Sequence, residues 1–128
     1  MRLLLDTHAF LWWLDGDALL SSAGQRAIGD EANEILVSAV SAWEIATKHR
    51  LGKLPRAAEV AADVAACIAS QGFTGLPVTV RHGQIAGALP GHHRDPFDRM
   101  LIAQAMIDNL VLVSHDVAFD HYGVRRLW

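Results

Sequence analysis

Leu3-Leu4-Leu5-Asp6 is a run of three apolar residues that ends in a carboxylate. The run is short and has no polar interruption, the pattern of a strand buried on both faces. Two further runs repeat it. Ile35-Leu36-Val37 is followed by Ser38, Ser41 and then Glu44, and Val111-Leu112-Val113 by Ser114 and Asp116. A fourth acid, Asp98, lies in the first turn of a strong helical pattern. If the three runs are neighbouring parallel strands, their C-terminal ends share one crevice, where open α/β sheets place their sites. Carboxylates converging there repel one another unless something cationic holds them. The simplest cation is a hard divalent metal with oxygen ligands.

Outward from these runs, strand-like and helix-like segments alternate, the signature of βαβ units and a parallel sheet. Thr7 to Leu14 reads as a short aromatic helix ended by the turn Asp15-Gly16-Asp17, and Ser21 or Ser22 caps a helix running to about Glu31. Ser41-Ala-Trp-Glu44 has the form of a capping box and predicts a helix that stops at Gly52. Val60, Val64 and Ile68 recur at i, i+4 and i+8, which predicts one amphipathic helix from Ala57 to Ser70. Leu76-Pro77-Val78 is a short extended piece weakened as a strand by its proline. A short helix is predicted over Val80 to Leu89. Asp95-Pro96, a cap followed by proline at the first helical position, opens another that runs to about Asp108. Val124 to Trp128 closes the chain as an edge strand. With no repeat, linker or low-complexity tract, the expectation is one domain over residues 1–128.

Composition permits this reading. The chain has 128 residues, 52% of them hydrophobic, a mean hydropathy of +0.20 and a formal net charge of −3. Such a chain can bury roughly two-thirds of its unfolded-state surface, so a well-packed core is expected. The overall charge does not announce a nucleic-acid binder, but it includes four acids that a metal would neutralise. The single Cys67 has no partner for an intramolecular disulfide and reads as a small buried hydrophobe. The start lacks a signal peptide's apolar region, and no uncharged run approaches ~18 residues, so no membrane span and a cytoplasmic location are expected.

An ordinary structural role is available for each acid. Asp6 and Asp116 can cap the turns that follow them, Glu44 fits the third position of its capping box, and Asp98 is favourable in a first turn. None of these roles explains why all four fall where one crevice would collect them. Asp95, in its Asp-Pro setting, is read as a cap. Basic residues form local sets: Lys48, His49, Arg50, Lys53 and Arg56 after Glu44; His92, His93, Arg94 and Arg99 around Asp98; Arg125 and Arg126 at the end. From these, Lys48, Arg94 and Arg99 are the candidate contacts to a phosphate backbone. No HxxxH or CxxC is present, so no histidine is assigned as a metal ligand. GxxxxGK[ST], GxGxxG and GxSxG are also absent, which sets aside nucleotide cradling and a serine elbow. Phe10-Leu11-Trp12-Trp13-Leu14 cannot turn all five side chains to one sheet, so at least one tryptophan is expected near the surface, available to a partner.

Taken together, Leu3-Leu4-Leu5-Asp6-Thr7-His8, Ser38-Ala-Val-Ser41-Ala-Trp-Glu44-Ile45, the stretch His93-Arg94-Asp95-Pro96-Phe97-Asp98-Arg99 with Met100-Leu101-Ile102-Ala103, and Val113-Ser114-His115-Asp116 resemble the successive motifs of PIN-domain proteins. They are most similar to the VapC toxins of bacterial toxin–antitoxin pairs, over essentially the whole chain. The resemblance implies a three-layer α/β/α fold with a central, mainly parallel sheet, and a magnesium- or manganese-dependent endoribonuclease. It places Asp6, Glu44, Asp98 and Asp116 on the family's acidic quartet, with Thr7 and Ser114 where it often supplies supporting hydroxyls. Asp6, Asp98 and Asp116 are then the expected metal ligands, and Glu44 binds through water or orients the nucleophile. The last motif reads Ser-His-Asp where Thr-x-Asp is common. The implied partners are an RNA substrate, an antitoxin segment seated near Phe10 to Leu14, and a second copy in a homodimer.

Two other classes are weighed against this. A catalytically inactive PIN-like binding module would not need the intact quartet. A receiver-type phospho-signalling domain needs a lysine after a late strand and a paired Asp-Asp near the start. The only lysines are Lys48 and Lys53, and Asp6 stands alone.

Overall fold

The computed structural model describes residues 1–91 and 93–128. Five strands, β1 (Arg2–Leu5), β2 (Glu34–Ser38), β3 (Thr74–Leu76), β4 (Val111–Val113) and β5 (Arg126–Leu127), form one sheet in the order β3-β2-β1-β4-β5. Every pairing is parallel, with Leu4 opposite both Leu36 and Leu112. The helices are α1 (Thr7–Asp15), α2 (Ser22–Gly29), α3 (Ala39–Arg50), α4 (Ala58–Ala62), α5 (Val64–Ser70), α6 (Val80–Ala88) and α7 (Pro96–Asp108).

The alternation of side chains along a strand sorts the core into two layers. Leu3, Leu5, Ile35, Val37, Val111 and Val113 pack with Phe10, Ile28, Ile45 and Ile68 on one face. Leu4, Leu36 and Leu112 pack with Leu101, Ile102 and Phe119 on the other. The arrangement is the expected three-layer α/β/α fold. Each fully buried leucine adds roughly 1.5–3 kcal/mol, so the three leucines of β1, buried on both faces, anchor both layers.

The chain fills the sheet from β1 outward through β2 to β3, then returns to the other side of β1 for β4 and β5. The order therefore reverses between β1 and β4, and a crevice opens beyond their C-terminal ends. Asp6 follows β1 there, its amide bonded to Val113 O at 3.1 Å.

Three local expectations are corrected. α3 begins at Ala39 with Ser38 as its cap (Ser38 Oγ accepts from Val40 N at 3.0 Å), so Ser41 and Glu44 are interior helical residues and form no capping box. The stretch from Ala57 to Ser70 is not one helix. It breaks at Asp63, whose extended backbone and side-chain bond from Ala66 N cap α5 separately. The extended piece before Pro77 is Thr74–Leu76, a true edge strand on β2 that stops before the proline. Among the described residues no helix is long and apolar enough to cross a membrane.

Candidate metal centre

Four elements deliver acids to the crevice. Asp6 leaves β1 and caps α1, accepting from Ala9 N at 2.8 Å. Glu44 comes from the second turn of α3, Asp98 from the first turn of α7, and Asp116 caps the 3-10 turn after β4, accepting from Ala118 N at 2.9 Å. All four line one cavity of about 140 Å³, together with Lys48 and Asp95. Asp6, Asp95 and Asp116 thus carry the cap roles read from the sequence, and capping is what aims them.

The electrostatics follow from this crowding. Burial pushes the Asp98 carboxyl up to about 7, and the charges of Asp95, Glu44, Asp6 and Asp116 push in the same direction. Burial also raises Asp6, against the opposing pull of the Ser114 hydroxyl and the Ala9 amide. Ser114, fully buried, accepts from Asp116 N at 3.0 Å and so ties the β4 turn to the first acid. Thr7 donates to Glu44 Oε1 at 2.6 Å and meets Ser41 Oγ at 3.0 Å.

The basic residues are placed differently from one another. Lys48 turns into the cavity and pairs with Glu44 Oε2, and its ammonium lies 5.9 Å from the Phe97 ring centroid. Burial alone would lower its pKa, but the Glu44 bond and the surrounding acids raise it, so it stays charged. It belongs to the acid cavity and not to an outward basic surface. Arg94 is exposed. Arg99 is a correction: its guanidinium donates to the carbonyls of Ala86, Gly87, Leu89 and His93, fastening the segment after α6 to α7. Four of its five N–H groups go to backbone carbonyls, so its placement serves the fold before any phosphate. His92, grouped with this set, lies outside the described residues.

Sequence reasoning missed His93. Its Nε2 is buried and lies 3.0 Å from Asp98 Oδ2, yet makes no hydrogen bond among the described residues. With Asp98 and Asp116 it offers ligand atoms that all fall within 4.8 Å of one another. A single histidine carries no spacing signal. Its proximity to the motif Asp95-Pro96-Phe97-Asp98 was the one available cue. Two carboxylates and one nitrogen so grouped, with Asp6 and Glu44 on the same cavity, are a donor set that suits a divalent cation.

Residues 3–124 match the PIN domain family, and the chain belongs to it. Solved structures with the same fold include VapBC2 from Rickettsia felis bound to a DNA fragment from their promoter. That likeness has a TM-score of 0.73 and 14% identity, over 99% of this chain and 98% of that one. VapC20 of Mycobacterium tuberculosis, described as a sarcin-ricin loop cleaving toxin, matches with a TM-score of 0.68 and 18% identity over 95% of each chain. VapBC-1 from nontypeable Haemophilus influenzae matches at 0.62 and 14%, over 99% and 97%. No curated protein matches the sequence.

Proposed function

We propose that this chain is a divalent-metal-dependent endoribonuclease, the toxin of a toxin–antitoxin pair. The observation that carries the reading is the convergence of Asp6, Glu44, Asp98 and Asp116 on one cavity at the sheet's switch point. Asp6, Asp98 and Asp116 would hold Mg²⁺ or Mn²⁺, with His93 beside them. A cation so held lowers the pKa of bound water and neutralises charge on phosphoryl oxygens. The protein's own groups do the rest. Glu44 has one oxygen on Thr7 and the other on Lys48, a fixed geometry suited to orienting the attacking water. Lys48 supplies positive charge inside the cavity, where negative charge develops as water adds to phosphorus and the bond to the leaving oxygen breaks. Exposed Arg94 is the remaining candidate for the flanking backbone.

The partner side of the proposal rests on a second cavity, about 260 Å³, bordered by Leu11, Trp12, Lys53, Pro55 and Arg56. Its apolar floor suits an apolar antitoxin segment, and its rim carries both signs of charge, Lys53 and Arg56 beside Asp15 and Asp17. Self-association as a homodimer is part of the same reading, by likeness to the family.

The test is direct. The purified protein, free of antitoxin, should cut total RNA in Mg²⁺ or Mn²⁺, and EDTA should abolish the cutting. An Asp98→Asn variant should be inert. Intact RNA after prolonged incubation in both metals would remove the nuclease reading.

A further inference from the structure

A cavity of about 460 Å³ is lined by Pro90, Gly91, His93, Ala118, His121 and Tyr122. It shares a wall with the acid cavity. His93 reaches Asp98 at 3.0 Å, and the Ala118 amide donates to Asp116 at 2.9 Å. Two residues of the pocket therefore touch two of the acids directly.

The pocket is shaped by packing. The His93 ring meets fully buried Phe119 edge-on, with centroids 6.0 Å apart and planes at 70°, and Arg99 holds the His93 carbonyl at 3.0 Å. Gly91 adopts φ 94°, where other residues are strained, and a Cβ there would meet the Tyr122 hydroxyl at 3.1 Å. Glycine at this position lets the loop close against the phenol.

Its chemistry differs from that of the cavity next door. Among the described residues its wall carries no carboxylate, lysine or arginine, so these offer a phosphate no fixed charge. It offers instead a phenol, two imidazoles and apolar surface: flat rings with hydrogen-bonding edges. Single-stranded RNA is recognised by stacking bases on such rings and bonding their edges. A nucleotide whose phosphate sits at the acids has its base, or its neighbour's, within reach of this wall.

We propose that this pocket receives one nucleobase beside the scissile phosphate and sets the base preference of cleavage. The proposal rests on the nuclease reading above. Short RNAs containing the cleavage site, each with an abasic nucleotide at a different position, would be compared for the wild type and Tyr122→Ala in single-turnover cleavage. One abasic position should slow the wild type about tenfold or more. At that position Tyr122→Ala should lose nothing further, because the stacking partner is already gone. Ala118→Phe, which fills the pocket instead of emptying it, should show the same pattern and guards against a misfolded Tyr122→Ala. Equal abasic penalties in wild type and both folded variants, at every position, would overturn the pocket while leaving the nuclease intact. Loss of antitoxin affinity in Tyr122→Ala with an unchanged RNA profile would also overturn it, in favour of a peptide side chain. A wild type that cuts no RNA removes the nuclease reading and the pocket with it.

Discussion

The Thr7 hydroxyl donates to Glu44 Oε1 across 2.6 Å, joining the first turn of α1 to the second turn of α3 beneath the acid cavity. Both residues are buried, so Glu44 has no solvent to replace this donor. Thr7→Val keeps the shape and removes the bond. It should cost about 1–3 kcal/mol of stability, because a buried acceptor is left unsatisfied. Cleavage should fall as well, and Thr7→Ser should restore most of both. Urea titrations and single-turnover assays on the two variants check this.

Apo stability should depend on pH in an unusual direction. Asp98 titrates near 7 in the folded chain, against about 4 in an unfolded one. Between those values the folded state holds a proton that the unfolded state releases. The stabilisation is complete below pH ~4 and is lost as pH rises through 7, on the order of 1–3 kcal/mol after allowance for partial exposure. Burial raises Asp6 in the same direction. Melting temperatures in EDTA should therefore fall from about pH 4 to about pH 7 and level off above it. Millimolar Mn²⁺ should restore the midpoint at pH 8, since a ligand of the native state alone stabilises it. A flat apo profile that metal does not move would refute the account.

Asp95 and Asp98 are three residues apart with opposite principal duties. Asp95 Oδ1 accepts from Phe97 N at 2.9 Å and Asp98 N at 3.3 Å, so Asp95→Ala should cost ~0.5–2 kcal/mol. Asp95→Asn remains a competent cap and should keep most activity. It also removes the nearest charge raising Asp98, so the pH at which metal binding is half-maximal should drop. Asp98→Asn should abolish cleavage while leaving the apo protein as stable or more so. Calorimetric metal titrations across pH, beside melting curves, separate the two residues.

Arg94 and Arg99 should part company in the same assay. Arg99→Lys cannot reproduce a planar fork reaching four carbonyls and should lower the melting temperature. Arg94→Ala should leave stability unchanged and raise KM, with a shallower dependence on salt. Salt-dependent kinetics and thermal melts decide between these roles.

The two tryptophans should separate too. Trp13 bonds Gln71 Oε1 at 3.0 Å and packs on Phe73, so Trp13→Ala should chiefly reduce stability. Trp12 stands between His8 and Trp128 and borders the 260 Å³ groove. Trp12→Ala should weaken antitoxin binding by tenfold or more with a smaller loss of stability. Equal antitoxin affinity in wild type and Trp12→Ala would move the groove elsewhere.

Much of the fold was legible because its determinants are local. Leu3-Leu4-Leu5 and Val111-Leu112-Val113 are buried on both faces, so a continuous apolar run is their signature, and Asp95-Pro96 or Gly16 punctuate helices through backbone conformation alone. The acids Asp6, Asp98 and Asp116 were readable as candidates because each follows a strand or opens a helix, and Glu44 because it lies soon after β2. What the tertiary structure alone decided depends on residues far apart in sequence. Ser38 displaced Ser41 as the α3 cap because β2 continues to Ser38, and that shift turned Ser41 and Glu44 toward Thr7. Arg99 went to the carbonyls of the last turn of α6 and of the segment after it, and His93 was brought to Asp98 by contacts that no periodicity encodes. The raised titration of Asp98 likewise arises first from burial and then from the charges of its own neighbour Asp95 and of Glu44, Asp6 and Asp116 on three other segments. A pattern along the chain can specify which face of an element is buried. Only packing determines which groups meet across it, and the chemistry of this crevice lies in those meetings.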